Sequence, residues 1–399
     1  MFNKKSSSLI WFFSFMMMEL IFANLAHPAT PALIKNLNLP DYTFGAAFAS
    51  MAFTNFLFSP FWGKLSDHKG RVKLYMLACI GYAFGQFLFM QATTEIGIFV
   101  ARGIAGFFIG GINVTHLTYV MDGSSMEDRA KNLTIHSTIF TIAGSLGYLI
   151  GGFLGNVSIP LLFTVQIVGL IFSGVVTFMK MKEIHPGDGT HWQMKQLLDA
   201  SNPFSAFKSA SKSISVWVWV FFGVVFFSVY GSTAFDQAFN YYIRDQFGFP
   251  PSYNGILKAG VGILALLVNS TICMYLIRKT TMKRPLVWVM GFTALTGFAV
   301  IYSDQAFSFI AISVMFFALN SIYSVLIQAL AGKESRSDST GAFMGMFSSI
   351  RALGMIFGSL LAGLIYAFGA KLAFVMAGIM FLVALILMSV LIRYRPKSE

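Results

Sequence analysis

Long apolar runs constrain this chain more than any other feature. Crossing a hydrocarbon layer as a helix takes about 20 mostly apolar residues. Twelve runs of about that length occupy 9–28, 43–62, 74–93, 96–121, 132–155, 158–180, 214–242, 252–277, 285–302, 305–330, 340–368 and 371–393. Their length and lack of strict alternation predict helices, not barrel strands. Of the 399 residues, 11% are charged, less than half the roughly 25% of a soluble domain. The expected fold class is an all-α polytopic membrane protein with twelve transmembrane helices.

The formal net charge of +12 would suggest nucleic acid as a partner in a soluble protein. Here the basic residues sit in short connections between apolar runs, the positive-inside pattern, so no nucleic-acid partner is expected. Lys4, Lys5, Lys64, Lys69, Arg71, Lys73, Arg129, Lys131, Arg278, Lys279, Lys283, Arg284, Lys333 and Arg336 fall on one side, and Lys35, Arg244 and Lys371 on the other. That bias places both termini in the cytoplasm. Cys79 and Cys273 lie inside apolar runs in different halves, so they read as packing residues without a disulfide or metal framework. The short basic start, Met1 to Ser8, precedes a run long enough to span and stay attached. The compact loops suit a multi-pass protein of a bacterial plasma (inner) membrane.

After the sixth run comes a longer connection, about Glu183 to Ser213, with Pro186-Gly187-Asp188-Gly189 near its start. Further on, Trp192, Leu197, Leu198, Phe204 and Phe207 alternate with Lys and Ser. Part of this stretch is expected to lie on the inner surface as an amphipathic helix, broken at Asn202-Pro203. The chain then divides into a six-helix bundle over 1–181, a cytoplasmic linker over 182–213 and a second six-helix bundle over 214–399. Internal symmetry is weak but visible. The fifth run carries Gly144, Gly147, Gly151, Gly152 and Gly155, and the eleventh carries Gly354, Gly358 and Gly363. Small residues at these spacings let helices approach closely.

Between the second and third runs lies Gly63-Lys64-Leu65-Ser66-Asp67-His68-Lys69-Gly70-Arg71. It reads as a tight surface loop, with glycines for the turn. Its one carboxylate, Asp67, needs a partner. The pattern Gly-x-x-x-Asp-basic-x-Gly-Arg at this place in the helix count resembles the signature loop of the major facilitator superfamily, with Gly63, Asp67, Gly70 and Arg71 matching and His68 standing where Arg or Lys is usual. Six helices, a linker and six helices is the layout of that family. The resemblance implies two pseudo-symmetric bundles working by alternating access. It also implies a gating role for Gly63, Asp67, Gly70, Arg71 and Asp122. In the family the equivalent of Asp122 meets the loop arginine, and the loop Asp caps the eleventh helix, which latches the inner side shut. The second copy of the loop, around Arg278 to Arg284, keeps its charge but not its Gly and Asp.

Of the 16 acidic residues, Glu19 and Asp236 lie well inside apolar runs, in the first and seventh. Charge at membrane depth is costly, so such residues face a cavity or a partner and read as functional. Low dielectric favours the neutral form of a carboxyl, which suits a proton carrier. Arg102, in Arg102-Gly103-Ile104-Ala105-Gly106, resembles the family's fourth-helix Arg-x-x-x-Gly motif, which implies a part in proton coupling and a place where it senses Glu19. Arg351, midway along the eleventh run, is expected to pair with Asp236 or tyrosines, or to lock helices. His27, Asn113, His116, Asn240 and Arg351 are candidate cavity residues, although polar groups in such runs also serve as glue between helices.

The fifth run, Gly144-Ser145-Leu146-Gly147-Tyr148-Leu149-Ile150-Gly151-Gly152, resembles the antiporter motif of the family, with Tyr148 at its proline position. The resemblance is closest to the twelve-helix proton-coupled drug antiporters, the tetracycline and multidrug exporters. It implies export of lipophilic, often cationic compounds in exchange for protons, and hence multidrug efflux and antibiotic resistance. Aromatic faces and methionines suit such cargo. No phosphate-binding Gly-Lys-Ser/Thr loop occurs, so the proton-motive force is the expected drive, with no cofactor. The expected partners are a small-molecule substrate, protons and the lipid bilayer, with the protein a monomer. A same-fold transporter of a sugar, amino acid, siderophore or lipid is the alternative. An enzyme is not expected, since no catalytic pair faces another across these segments.

Overall fold

The computed structural model describes residues 4–125, 128–184, 215–334 and 340–394. Every regular element among them is helical. The first half holds α1 (Lys4–Asn24), α2 (Thr30–Asn36), α3 (Thr43–Lys69), α4 (Arg71–Gln91), α5 (Glu95–Gly123), α6 (Arg129–Val157) and α7 (Ile159–Lys180). The second holds α8 (Val216–Asp245), α9 (Pro251–Val268), α10 (Met274–Lys279), α11 (Lys283–Ala299), α12 (Ala306–Glu334), α13 (Thr340–Phe368) and α14 (Leu372–Tyr394). Twelve spans among the described residues are long and apolar enough to cross a membrane. The expected amphipathic linker helix lies outside the described residues.

Two spans differ from the simple helices that apolar length predicts. The first runs from Leu9 to Asn36, longer than 9–28, and is broken between α1 and α2 by a 3₁₀ turn at His27–Ala29. Pro28 and Pro31 each fall in the first turn of a new helical piece, where a missing N–H costs nothing. The chain therefore resumes its helix after each proline. The break frees carbonyls at the end of α1, and Ala23 O accepts from Gln166 Nε2 at 2.9 Å and Tyr82 Oη at 3.4 Å. The eighth span, Pro251–Lys279, contains a π-helical turn at Asn269–Cys273. There the Asn269 side-chain oxygen accepts from Ser321 Oγ at 2.9 Å and Cys273 Sγ at 3.4 Å.

The Gly63–Arg71 stretch corrects the loop expectation. Gly63 to Lys69 continue α3, and the turn is Gly70 alone, at φ 89°. Only this glycine needs the left-handed region that a Cβ disfavours. A Cβ at Gly63 would touch nothing nearer than Val114 Cγ1 at 3.9 Å.

The described residues form two compact units. One is drawn from Met1–Leu39, Ser50–Pro203 and Phe249–Ala259. Its core gathers Trp62, Tyr75, Cys79, Tyr82 and Leu170, and Trp62 Nε1 donates to Phe107 O at 2.7 Å. The other is drawn from Pro40–Ala49, Phe204–Gly248 and Gly260–Glu399. There Phe235 stacks on Phe316 with centroids 3.6 Å apart and meets Phe374 edge-on. Its short segment before Ser50 is tied in by Phe44 stacked on Tyr241 at 4.4 Å and by Tyr241 Oη donating to Asp41 at 2.6 Å. The glycines of α6 serve close approach in the first unit. A Cβ at Gly151 would collide with the Leu25 carbonyl, whereas Gly144 has open space.

Gly151→Val is expected to destabilise the protein by about 1–3 kcal/mol through overpacking, read as a lower unfolding temperature of the purified protein. Gly144→Ala is expected to leave that temperature unchanged. Equal effects of the two would exclude the close α6 approach.

Candidate functional site

The buried stripe of α1 carries Leu9, Phe12, Met16, Glu19, Leu20 and Ala23, steps of three and four with Glu19 and Leu20 side by side, as one helix face allows. Glu19 thus points into the first unit because its stripe does, and its exposure is 0%. Across from it, α5 supplies His116, 1% exposed, with Nε2 at 3.5 Å from Glu19 Oε2. Neither Glu19 oxygen and neither His116 nitrogen makes a hydrogen bond among the described residues. The His116 ring is boxed by Phe12 edge-on at 5.9 Å, Tyr75 at 5.2 Å and His136 of α6 at 6.1 Å. Tyr75 and Cys79 of α4 lie within electrostatic reach of Glu19.

An unsatisfied buried polar group costs on the order of 1–3 kcal/mol. A carboxyl and an imidazole left unsatisfied side by side therefore need a reason. One proton on the carboxyl, or a proton moved to the imidazole, leaves the pair neutral overall. One further proton makes it cationic.

Arg102 stands elsewhere in the same unit. Its Nη2 donates to Thr30 Oγ1 at 3.2 Å, and its guanidinium lies 3.8 Å above the Phe89 ring. Among the described residues no ion pair joins it to Glu19; its hydrogen bond goes to Thr30, just past the break in the first span. Tyr82 lies within electrostatic reach of both charges. His27, at the break, stacks on Tyr148 with centroids 5.5 Å apart. Asn113 is half-buried on α5.

At the α3–α4 turn, Arg71 is buried and fully engaged. Its Nη2 pairs with Asp67 at 2.7 Å, its Nε with Asp122 at 3.1 Å, and its Nη1 bonds Ser66 Oγ. Glu183, just beyond α7, accepts from the backbone N–H of Arg71 at 2.9 Å and of Val72 at 2.8 Å. That carboxylate caps the α4 N-terminus, where free N–H groups and the helix dipole favour negative charge.

In the second unit the acid of α8 has a different setting. Asp236 is half-buried. One turn on, Asn240 is buried with its Oδ1 unsatisfied among the described residues. Arg351 lies 5.6 Å from the Phe347 ring and within reach of Tyr323. Among the described residues no cluster of His, Cys, Asp and Glu could hold a metal ion.

Residues 8–355 match the Major Facilitator Superfamily. The chain belongs to the Major Facilitator Superfamily. It is 24% identical over 391 residues to multidrug resistance protein 2 of Bacillus subtilis (strain 168), covering 96% of this chain and 94% of that one. It is also 24% identical over 393 residues to the class C tetracycline resistance protein of Escherichia coli, covering 96% of each. A solved bacterial homologue of the human lysosomal transporter Spinster superposes with a TM-score of 0.77 at 14% identity, covering 98% of both chains. This facilitator is a multi-pass membrane transporter and not an enzyme.

Two members of these clusters escape sequence reasoning. His136 sits near the start of the fifth span, where a polar residue is unremarkable, and Glu183 falls in what reads as linker. Removing the Glu183 cap is expected to cost about 0.5–2 kcal/mol. Glu183→Ala should therefore lower the unfolding temperature, and Glu183→Asp should restore part of it. An unchanged temperature in the alanine variant would rule out the cap.

Proposed function

We propose that this facilitator exports lipophilic, often cationic small molecules in exchange for protons, with Glu19 as the group at which proton and substrate compete. The observation that carries this reading is the fully buried, unsatisfied Glu19 carboxyl beside His116. A cation arriving at the ionised carboxyl supplies the charge that a proton otherwise supplies, so the two exclude each other. Coupling then follows because a ligand shifts conformations only through differential affinity. The multidrug and tetracycline resistance relatives support the substrate class. The bias of Lys and Arg supports cytoplasmic termini, with protons entering from outside and drug from the cytoplasm or inner leaflet. The Arg71–Asp67–Asp122 cluster would then gate the inner side.

The test is efflux of a lipophilic cationic dye from cells that lack their main exporters, with and without an uncoupler. Wild type should show uncoupler-sensitive efflux. Glu19→Gln should lower the rate roughly 5- to 150-fold, the span of a coupling free energy of about 1–3 kcal/mol. Asp236→Asn should do less. Absence of any dye or tetracycline efflux by well-folded wild type would overturn the drug reading in favour of a metabolite or lipid carrier. Full uncoupler-sensitive activity in Glu19→Gln would remove Glu19 from the coupling path. His116→Gln should change the dependence of efflux on external pH while leaving expression and unfolding temperature near wild type, and an unaltered pH profile would leave His116 a packing residue.

A further inference from the structure

The turn between α10 and α11 in the second unit carries a separate feature. A cleft of about 1040 Å³ opens there. Its charged lining is Arg278, Lys279 and Arg284, with no carboxylate among the lining residues. All three cations are exposed. The positive-inside pattern accounts for cations at such a turn, but not for what lies behind them. Arg284, Trp288 and Phe292 are spaced by four residues along α11 and line the same cleft, so they form one stripe down that helix. Trp288 is 70% exposed and Phe292 48% exposed, and their rings stack at 6.4 Å.

The order along the stripe is cation first, indole next, phenyl last, running from the end of the span into it. A phospholipid has the same order, with phosphate at the surface, glycerol below it and acyl chain beneath. Indoles favour that interfacial depth. Basic pockets between helices at a membrane surface hold anionic headgroups. The turn is also preset. Met282 sits at φ 61° with its side chain fully buried, and its N–H donates to Thr280 Oγ1 at 3.1 Å. A residue of this type at positive φ stays there only where its surroundings over-determine it.

We propose that this cleft binds one anionic phospholipid, its phosphate held by Arg278, Lys279 and Arg284 and an acyl chain laid along Trp288 and Phe292. The assignment is independent of what the protein transports.

The experiment uses the full-length protein in mixed micelles with phosphatidylglycerol or phosphatidylcholine brominated in the acyl chain, reading tryptophan fluorescence. Bromine quenches an indole on contact. Phosphatidylglycerol should quench more than phosphatidylcholine at equal mole fraction, and Trp288→Phe should abolish the excess. Arg278→Gln, Lys279→Gln and Arg284→Gln, all at exposed positions, should each weaken the preference roughly fivefold, and added salt should weaken it further. Equal quenching by the two lipids overturns the proposal, as does an excess that survives in Trp288→Phe. Inorganic phosphate added to protein in phosphatidylcholine separates the two sources of the anion. Stabilisation by phosphate that is lost in the triple glutamine variant, without any lipid preference, would make this a soluble-anion site and overturn the lipid assignment.

Discussion

Hydrocarbon offers no hydrogen bonds, so a polar atom inside this fold has to find its partner within the protein. Most do. Thr115 donates to Gly111 O at 2.7 Å, Ser173 to Gly169 O at 2.7 Å and Thr177 to Ser173 O at 2.7 Å, each folding back on its own helix. The carbonyl freed where α1 stops is taken up by Gln166 and Tyr82. Arg71 spends its guanidinium on Asp67, Asp122 and Ser66. Against that background Glu19 and His116 are a carboxyl and an imidazole enclosed side by side, neither of them hydrogen-bonded among the described residues.

The pseudo-symmetry of the superfamily would give each half an equivalent acid, and Glu19 and Asp236 occupy equivalent segments. Their surroundings differ. Glu19 is fully buried with the imidazole of His116 as neighbour, whereas Asp236 is half-buried on a helix whose other side is a stack of phenylalanines. Desolvation is what makes a carboxyl's charge expensive enough to couple to a conformational change. That condition is met at Glu19, which is fully buried.

Much of this was legible in the sequence, for identifiable reasons. A span advertises itself because about 20 consecutive apolar residues have few other uses, and a carboxylate inside one is conspicuous for the same reason. Partners are harder to see. Nothing in the run around His116 or His136 says that they meet Glu19, because helix packing brings them together across long separations. Glu183 reads as linker until its carboxylate is seen on the α4 N–H groups. The Gly63–Arg71 stretch misleads in a different way. Glycine permits a turn without requiring one, and Lys64 to Lys69 are ordinary helix residues, so α3 continues until Gly70, where φ of 89° does require it. The polar Asn269-Ser270-Thr271 stretch inside an apolar run marks a π turn only once Ser321 is seen bonding Asn269.

The two polar clusters of the first unit share no residue, yet they share helices. Tyr75, against His116, lies one turn along α4 from Arg71. His116 and Asp122 are both carried by α5. A helix is stiff over one or two turns, so a small shift of α4 against α5 at the Glu19 level is felt at the Arg71–Asp122 bond. The close packing of the pair leaves little slack to absorb it, since a Cβ at Gly85 would already meet the Ala105 backbone at 2.8 Å. Packed interfaces of this kind tend to switch between discrete arrangements instead of deforming smoothly. Glu19 faces His116 on α5, and α5 also carries the Asp122 that pairs with Arg71. Spatial intermediacy alone is not coupling. Here the same two helices, α4 and α5, carry both the groups around Glu19 and the Arg71–Asp122 bond, which is the contact through which a charge change at one would reach the other.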